Sequence, residues 1–308
     1  MLALLCGGQG LVSPQMFDLV AEAPAAAPIF ACADRLLGQD PRRLVHDTAG
    51  DALSSNRQNQ LLSVTAVLAT YAAIADLLPP RFLVTGYSVG EMAAWSIAGI
   101  WSADLALKMT DQRARIMDEA GAEPGRLVYT RGLGRSAVEK LAAQNGAEIA
   151  IMNPGDLFVL GTTEANARRF CEAARQAGAL KAEPLAVHVA AHTSLLRSGV
   201  APFATVLRDS APAAPKDDSI LLAGGNGARI FRPDLAIKGL AAQIATPIDW
   251  VSTLEALAEH GVDTVLDLGP GAALAPMVSS AQPGITAYAA AGFRSLDGLR
   301  TWLSDHPR

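Results

Sequence analysis

The chain has 308 residues, half of them apolar and 18 % charged, with a net charge of −5 and a pI near 5.6. That supplies a sizeable core and length for one large domain with a smaller companion. The acidic balance argues against nucleic acid or an anionic membrane as the main partner. Cys6, Cys32 and Cys171 follow no metal or disulfide spacing, which fits a reducing cytosol.

In chain order, the opening Met1–Cys6 reads as a first buried strand rather than a leader, since it lacks a basic region and is too short. Leu61–Leu78 is apolar nearly all round, as a helix deep in a core should be. Ser63, Thr65, Thr70 and Asp76 interrupt it, so it is not expected to span a bilayer. Arg81–Thr85 reads as a short strand, Gly86-Tyr87-Ser88-Val89-Gly90 as a sharp turn and Glu91–Ser96 as a helix start. Strands at Arg126–Thr130, Glu148–Met152, Leu157–Leu160 and Leu180–Val187, with helices at Ser136–Gln144 and Glu164–Ala177, give the order β-α-β-β-α-β. After a linker at Ser210–Asp218 come a strand at Ile220–Ala223 and helices near Asp234–Gln243 and Ser252–His260. The strand Thr264–Leu268 then runs into Gly269-Pro270-Gly271. The expectation is an α/β protein. Segments 1–124 and 189–308 form an α/β-hydrolase-like large domain with a parallel sheet, and 125–188 is an inserted ferredoxin-like module.

The G-x-S-x-G elbow between strand and helix is where a serine can act as a nucleophile. The turn lifts its hydroxyl clear of the sheet, and the amides at the helix start face the developing negative charge. Otherwise it is a glycine-rich turn with an incidental serine. A nucleophile needs a base, and five histidines are available. His306 lies in a polar tail, His46 in a charged loop and His260 at a helix C-terminus. His188 and His192 remain. Their spacing lacks a third metal ligand or a catalytic glutamate, so no metal is expected. His192, at the strand end where the chain re-enters the large domain, is the better base; His188 is structural or lines the cleft. Gln9, in Gly7-Gly8-Gln9-Gly10, is either part of a tight turn or a donor across the cleft. Arg115 has Asp111, Asp118 and Glu119 at helical offsets and reads as a solvated residue. Arg113 has Met109, Ile116 and Met117 there and points inward, toward either a structural or a substrate carboxylate.

With Gln9, Ser88, Arg113 and His192 in that order, the chain resembles the malonyl-CoA:acyl-carrier-protein transacylase family. Asn153-Pro154-Gly155, Gln243 followed by Pro247 and Trp250, and Leu268-Gly269-Pro270-Gly271 extend the resemblance over nearly the whole length. It implies that Ser88 is acylated, His192 is the base and Arg113 binds the malonyl carboxylate. The amides of Gln9 and Val89 would form the oxyanion hole. Gln243 would orient His192 through its main-chain carbonyl, and Gln58 would be a substrate-binding glutamine of the cleft. The chain departs from the family at Tyr87, where a histidine is usual, and at Cys6-Gly7, where Phe-Pro is usual. Gly224-Gly225-Asn226-Gly227-Ala228-Arg229 replaces an Asn-Val-x-Ala segment. The elbow, the Ala-Ala-Trp after it and Leu221-Leu222-Ala223-Gly224-Gly225-Asn226-Gly227 look most like the malonate decarboxylase epsilon subunit.

The expected protein is a cytoplasmic acyltransferase without metal or cofactor. Its partners would be malonyl-CoA, an acyl carrier protein with a phosphopantetheine-type arm and other malonate decarboxylase subunits. A fatty-acid or polyketide malonyl transacylase, a serine esterase or thioesterase, and a silent scaffold subunit are the alternatives. The esterase class places its histidine late in the chain, whereas His192 precedes roughly the last third.

Overall fold

The computed structural model describes residues 1–10, 12–47 and 55–305. Strand β1 (Leu2–Cys6) is followed by helices α1 (Ala27–Leu37), α2 (Pro41–Asp47) and α3 (Asn56–Ile74). Then come β2 (Phe82–Gly86), α4 (Gly90–Ile97) and α5 (Ala103–Ala120). The middle of the chain forms β3 (Gly125–Arg131), α6 (Arg135–Asn145), β4 (Ala147–Asn153), β5 (Leu157–Thr163), α7 (Glu164–Gln176) and β6 (Lys181–Pro184). The remainder supplies α8 (Val200–Asp209), β7 (Ser219–Leu221), α9 (Pro233–Ala242), β8 (Ile248–Asp249) and α10 (Trp250–Glu259). It ends with β9 (Thr264–Asp267), α11 (Leu274–Ala281), β10 (Thr286–Ala289) and α12 (Leu296–Asp305).

The large sheet has the order β10-β9-β1-β2-β7, and every pair in it is parallel. A parallel sheet is covered on both faces, so its central strands are continuous apolar runs. All five residues of β1 and of β2 are buried. Helix α3 is buried through most of its length, and Ser55 caps its start by accepting a bond from the Gln58 amide. By length and composition, the stretch Asn56–Leu77 could cross a membrane; 72 % of its most apolar window is buried inside the protein, which makes it a core helix here.

The second sheet has the order β6-β3-β5-β4, the ferredoxin-like arrangement, with its own core around Val128, Val138, Phe158, Leu160 and Phe170. The strand expected over Leu180–Val187 is shorter, ending at Pro184 on the sheet edge, where a missing donor is tolerated. A fifth strand, β8, joins parallel to β4 through Ile151 and Ile248. The sequence did not announce this two-residue strand. It ties the segment after Gln243 to the smaller sheet and so fixes that segment beside the elbow.

At the elbow, β2 turns into α4 with almost no free space. A Cβ built on Gly90 would lie 2.0 Å from the Cys6 carbonyl oxygen, and one on Gly86 would lie 2.2 Å from the Glu91 nitrogen. Gly90→Ala should therefore destabilise the fold by about 3 kcal/mol or more, because backbone rather than a flexible side chain must give way. Gly239→Ala, exposed on α9 with nothing within 4 Å of the added carbon, should stabilise by about 0.5–1 kcal/mol. Denaturant midpoints check both signs.

Candidate active site

Ser88 sits at the tip of the elbow with φ of 56°, and His192 reaches it from the loop after β6 with φ of 63°. Non-glycine residues held in the left-handed region carry strain that surrounding structure must maintain. For His192, that hold comes from its amide, which donates to the Ile244 carbonyl at 2.8 Å. Two residues on, the Ser194 amide donates to Glu148 of β4, also at 2.8 Å. The Ser88 Oγ and His192 Nε2 are 2.7 Å apart. On the other side of the ring, Nδ1 lies 2.6 Å from the main-chain oxygen of Gln243. A carbonyl can only accept, so Nδ1 carries the proton and Nε2 is the acceptor for the serine hydroxyl. Burial, followed by the charge of Arg113, lowers the His192 pKa to about 3 against the opposing effect of the Gln243 carbonyl. The imidazole is thus neutral, in the form a general base requires.

Arg113 is 1 % exposed on the inward face of α5, whereas Arg115 pairs with Asp111 at 2.8 Å on the outer face. The Arg113 Nη1 donates to Gln60 Oε1 at 2.6 Å and Nη2 to Gln243 Oε1 at 3.5 Å. No carboxylate forms an ion pair with it among the described residues, and its Nε has no acceptor. The Gln243 Nε2 in turn donates at 2.6 Å to Glu91, a carboxylate 2 % exposed in the first turn of α4. Burial pushes the Glu91 carboxyl up to about 7 and brings the Arg113 guanidinium down to about 10.

Gln58 does not join this cluster; its side-chain oxygen accepts from Ser55, at the head of α3. Gln60, two residues on, faces Arg113, and it also donates to Asn56 Oδ1 at 2.7 Å. Glu91, Gln60 and Asn56 are the members that sequence reasoning missed. The one available signal was the polar run Asn56–Gln60 at the head of an otherwise largely apolar helix, which places Asn56 and Gln60 at i, i+4.

The Gly7–Gly10 loop crosses the elbow so closely that a Cβ on Gly8 would lie 3.5 Å from the Ser88 Cβ. The Gln9 side chain donates to Asn56 Oδ1 at 3.2 Å. The backbone amides of Gln9 and Val89 have no acceptor among the described residues. Tyr87 donates to Asn153 Oδ1 at 3.1 Å and packs edge-on against Trp250, so the elbow is tied to the end of β4. The Asn153 Nδ2 is buried with no acceptor. Of the other histidines, His188 is exposed beside Arg126, His260 caps α10 and His46 lies in α2 rather than in a loop. His306 lies outside the described residues.

The depressed pKa of His192 makes a stability prediction. Between about 3 and 6.5 the unfolded state takes up a proton that the folded state refuses, so this contribution is full above 6.5 and lost as pH falls toward 3. His192→Gln should therefore lose less stability than the parent on acidification, by up to about 1.4 kcal/mol per pH unit in that window. Denaturant melts at pH 7 and pH 4.5 test this, and equal losses in the two proteins would contradict it.

Similarity to known proteins extends over the whole length of this arrangement. No protein-family model matches the chain. The malonyl CoA-acyl carrier protein transacylase of Haemophilus influenzae is 28 % identical over 283 residues, covering 88 % of this chain and 89 % of that protein. The crystal structure of the acyl-carrier-protein S-malonyltransferase of Burkholderia pseudomallei superposes with a TM-score of 0.87 at 27 % identity, covering 97 % of this chain and 99 % of that one. A malonyl-transacylase solved in complex with a type II polyketide acyl-carrier protein shares the fold, with a TM-score of 0.89 at 24 % identity over 99 % of both chains. With its parallel sheet, its ferredoxin-like insertion and this end-to-end similarity, the chain has the fold of the malonyl CoA-acyl carrier protein transacylases and resembles them along nearly its whole length.

Proposed function

We propose that this enzyme moves a malonyl group from malonyl-CoA to the thiol of an acyl carrier protein through an ester on Ser88. The observation that carries the reading is the line Ser88–His192–Gln243 carbonyl, with the Arg113 guanidinium beside it and no protein carboxylate paired to that guanidinium. The Ser88 oxygen attacks the thioester carbonyl while His192 Nε2 takes its proton. The tetrahedral oxyanion is held by the amides of Gln9 and Val89. The carbon–sulfur bond then breaks, and the proton passes to the departing CoA sulfur. In the second half the carrier thiol gives its proton to His192, its sulfur attacks the ester, and Ser88 leaves with the proton.

The malonyl carboxylate contributes more than binding. Arg113 is the second cause of the low His192 pKa, so a carboxylate neutralising that guanidinium makes the imidazole a stronger base. The correct acyl donor thus improves the catalyst it meets. The serine esterase alternative is disfavoured because His192 is oriented by a carbonyl, whereas that class uses a carboxylate.

For the carrier we favour that of a malonate decarboxylase, with the other subunits of that assembly as partners. Gly86-Tyr87-Ser88-Val89-Gly90-Glu91 and the Gly224–Arg229 segment support it. A fatty-acid or polyketide carrier is equally compatible with the relatives, and rates of transfer to the three carrier types separate these routes.

Arg113→Ala tests the acyl choice. Losing a desolvated charge-assisted pair should lower the malonyl-to-acetyl preference at least about tenfold, since acetyl-CoA never uses that contact. Arg115→Ala, on the solvated face, should leave both rates within a few-fold. Equal losses with both donors in Arg113→Ala would make Arg113 structural.

A further inference from the structure

Glu91 is absent from the chemistry above, yet it is the buried charge joined to both halves of the site. One oxygen takes two of its hydrogen bonds: Oε2 accepts from Gln243 Nε2 at 2.6 Å and from the Gly224 amide at 2.9 Å, with the Trp95 indole also beside the carboxylate. Gly224 can approach because it lacks a side chain; a Cβ there would lie 1.7 Å from the Gly86 carbonyl oxygen and 3.1 Å from the Glu91 carboxylate itself. The segment in which this chain departs from the Asn-Val-x-Ala pattern is therefore the one that supplies a donor to Glu91.

The Gln243 amide is held between two charges, with Nε2 on the carboxylate and Oε1 toward the guanidinium. Glu91 and Arg113 form no direct ion pair, but each charge acts on the other and the Gln243 amide bridges them. Behind Glu91 lies a cavity of about 750 Å³, with Glu91 and Gln243 among its lining residues and Asn226, Arg229 and Arg232 in its wall. Ser88, His192 and Arg113 do not line it. Glu91 thus borders a cavity separate from Ser88, His192 and Arg113.

Few other charges compete for Glu91. Cys6 is the titratable residue of β1, and β2 has none. On α3, Arg57 turns to Asp111 and Tyr71 sits farther along; on α5, Asp111 is held by Arg57 and Arg115, and Asp118 by Asn56. Asp104 and Lys108 pair with each other near the start of α5, and Glu119 lies at its far end. In the cavity wall Arg232 pairs with Asp234, Arg229 stacks on Phe231 and Asp249 caps α10. Arg113 is the charge acting on Glu91.

We propose that Glu91 is a positioning residue for acyl selection: acting through Gln243, it is the counter-charge of Arg113 in the empty site, and it takes up a proton from the cavity when an acyl carboxylate occupies Arg113. The proposal rests on the reading of Arg113 given above. Two carboxylates cannot share one buried guanidinium without cost, and protonating Glu91 removes the conflict. A carboxyl already raised to about 7 by burial changes state at little cost near neutral pH. The sign follows: low pH, with Glu91 protonated, favours malonyl, and high pH penalises it, whereas acetyl is indifferent.

The test is the ratio of kcat/KM for serine acylation by malonyl-CoA and by acetyl-CoA between pH 5.5 and 8.5. Ionisations of the CoA portion are common to both donors and cancel in the ratio. In the parent enzyme the ratio should fall about fivefold or more as pH rises through 7. In Glu91→Gln, which can keep both hydrogen bonds with an uncharged oxygen, the ratio should be flat. A flat ratio in the parent, or a step retained in Glu91→Gln, overturns the proposal. The parent profile alone decides should the variant misfold. Arg113→Ala separates the two readings. If its loss is confined to malonyl while the parent ratio is flat, the Glu91 proposal fails and the Arg113 reading stands. If it loses both donors equally, the Arg113 reading fails first.

Discussion

One residue, Gln243, holds the two halves of this site in register. Its main-chain oxygen fixes the His192 tautomer at 2.6 Å, and its side chain bridges Glu91 and Arg113. A shift of that residue would disturb His192, Arg113 and Glu91 together. Its position is set from two directions. It opens a 3-10 turn at the end of α9, and β8, five residues on, is stitched to the smaller sheet. The constraint is covalent and local, and its consequences reach both domains.

The same logic explains why the smaller sheet matters to a site built on the larger one. Asn153 at the end of β4 accepts the Tyr87 hydroxyl beside Ser88, and Glu148 on β4 accepts the amide of Ser194, two residues after His192. The elbow, the histidine loop and the Gln243 turn are all braced against β4. A guanidinium without an ion pair and a buried carboxylate are each costly to maintain; their mutual arrangement, held by β4 and Gln243, keeps them in place.

Much of this was legible in the sequence, for identifiable reasons. A turn as tight as Gly86–Gly90 admits few residue types, so the elbow shows in five letters. Arg113 and Arg115 were separable because α5 is amphipathic, and helical offsets tell its faces apart. The choice between Gln58 and Gln60 was not, because α3 is buried on nearly every side and periodicity gives it no inward face. Glu91 reads as an ordinary first-turn acid until Gln243, 152 residues away, is seen bonded to it. Strand β8 is two residues long, and β10 is an edge strand of alternating exposure built from Thr286-Ala287-Tyr288-Ala289, so neither carries a strong pattern.

The central claim is that Ser88 carries the acyl group between two thiols. Brief incubation with malonyl-CoA, followed by intact-mass measurement and peptide mapping, tests it most directly. The account predicts a gain of one malonyl group, located on the peptide containing Ser88, and no gain in Ser88→Ala. A malonyl group on any other residue, or a Ser88→Ala protein that still gains it, would contradict the account.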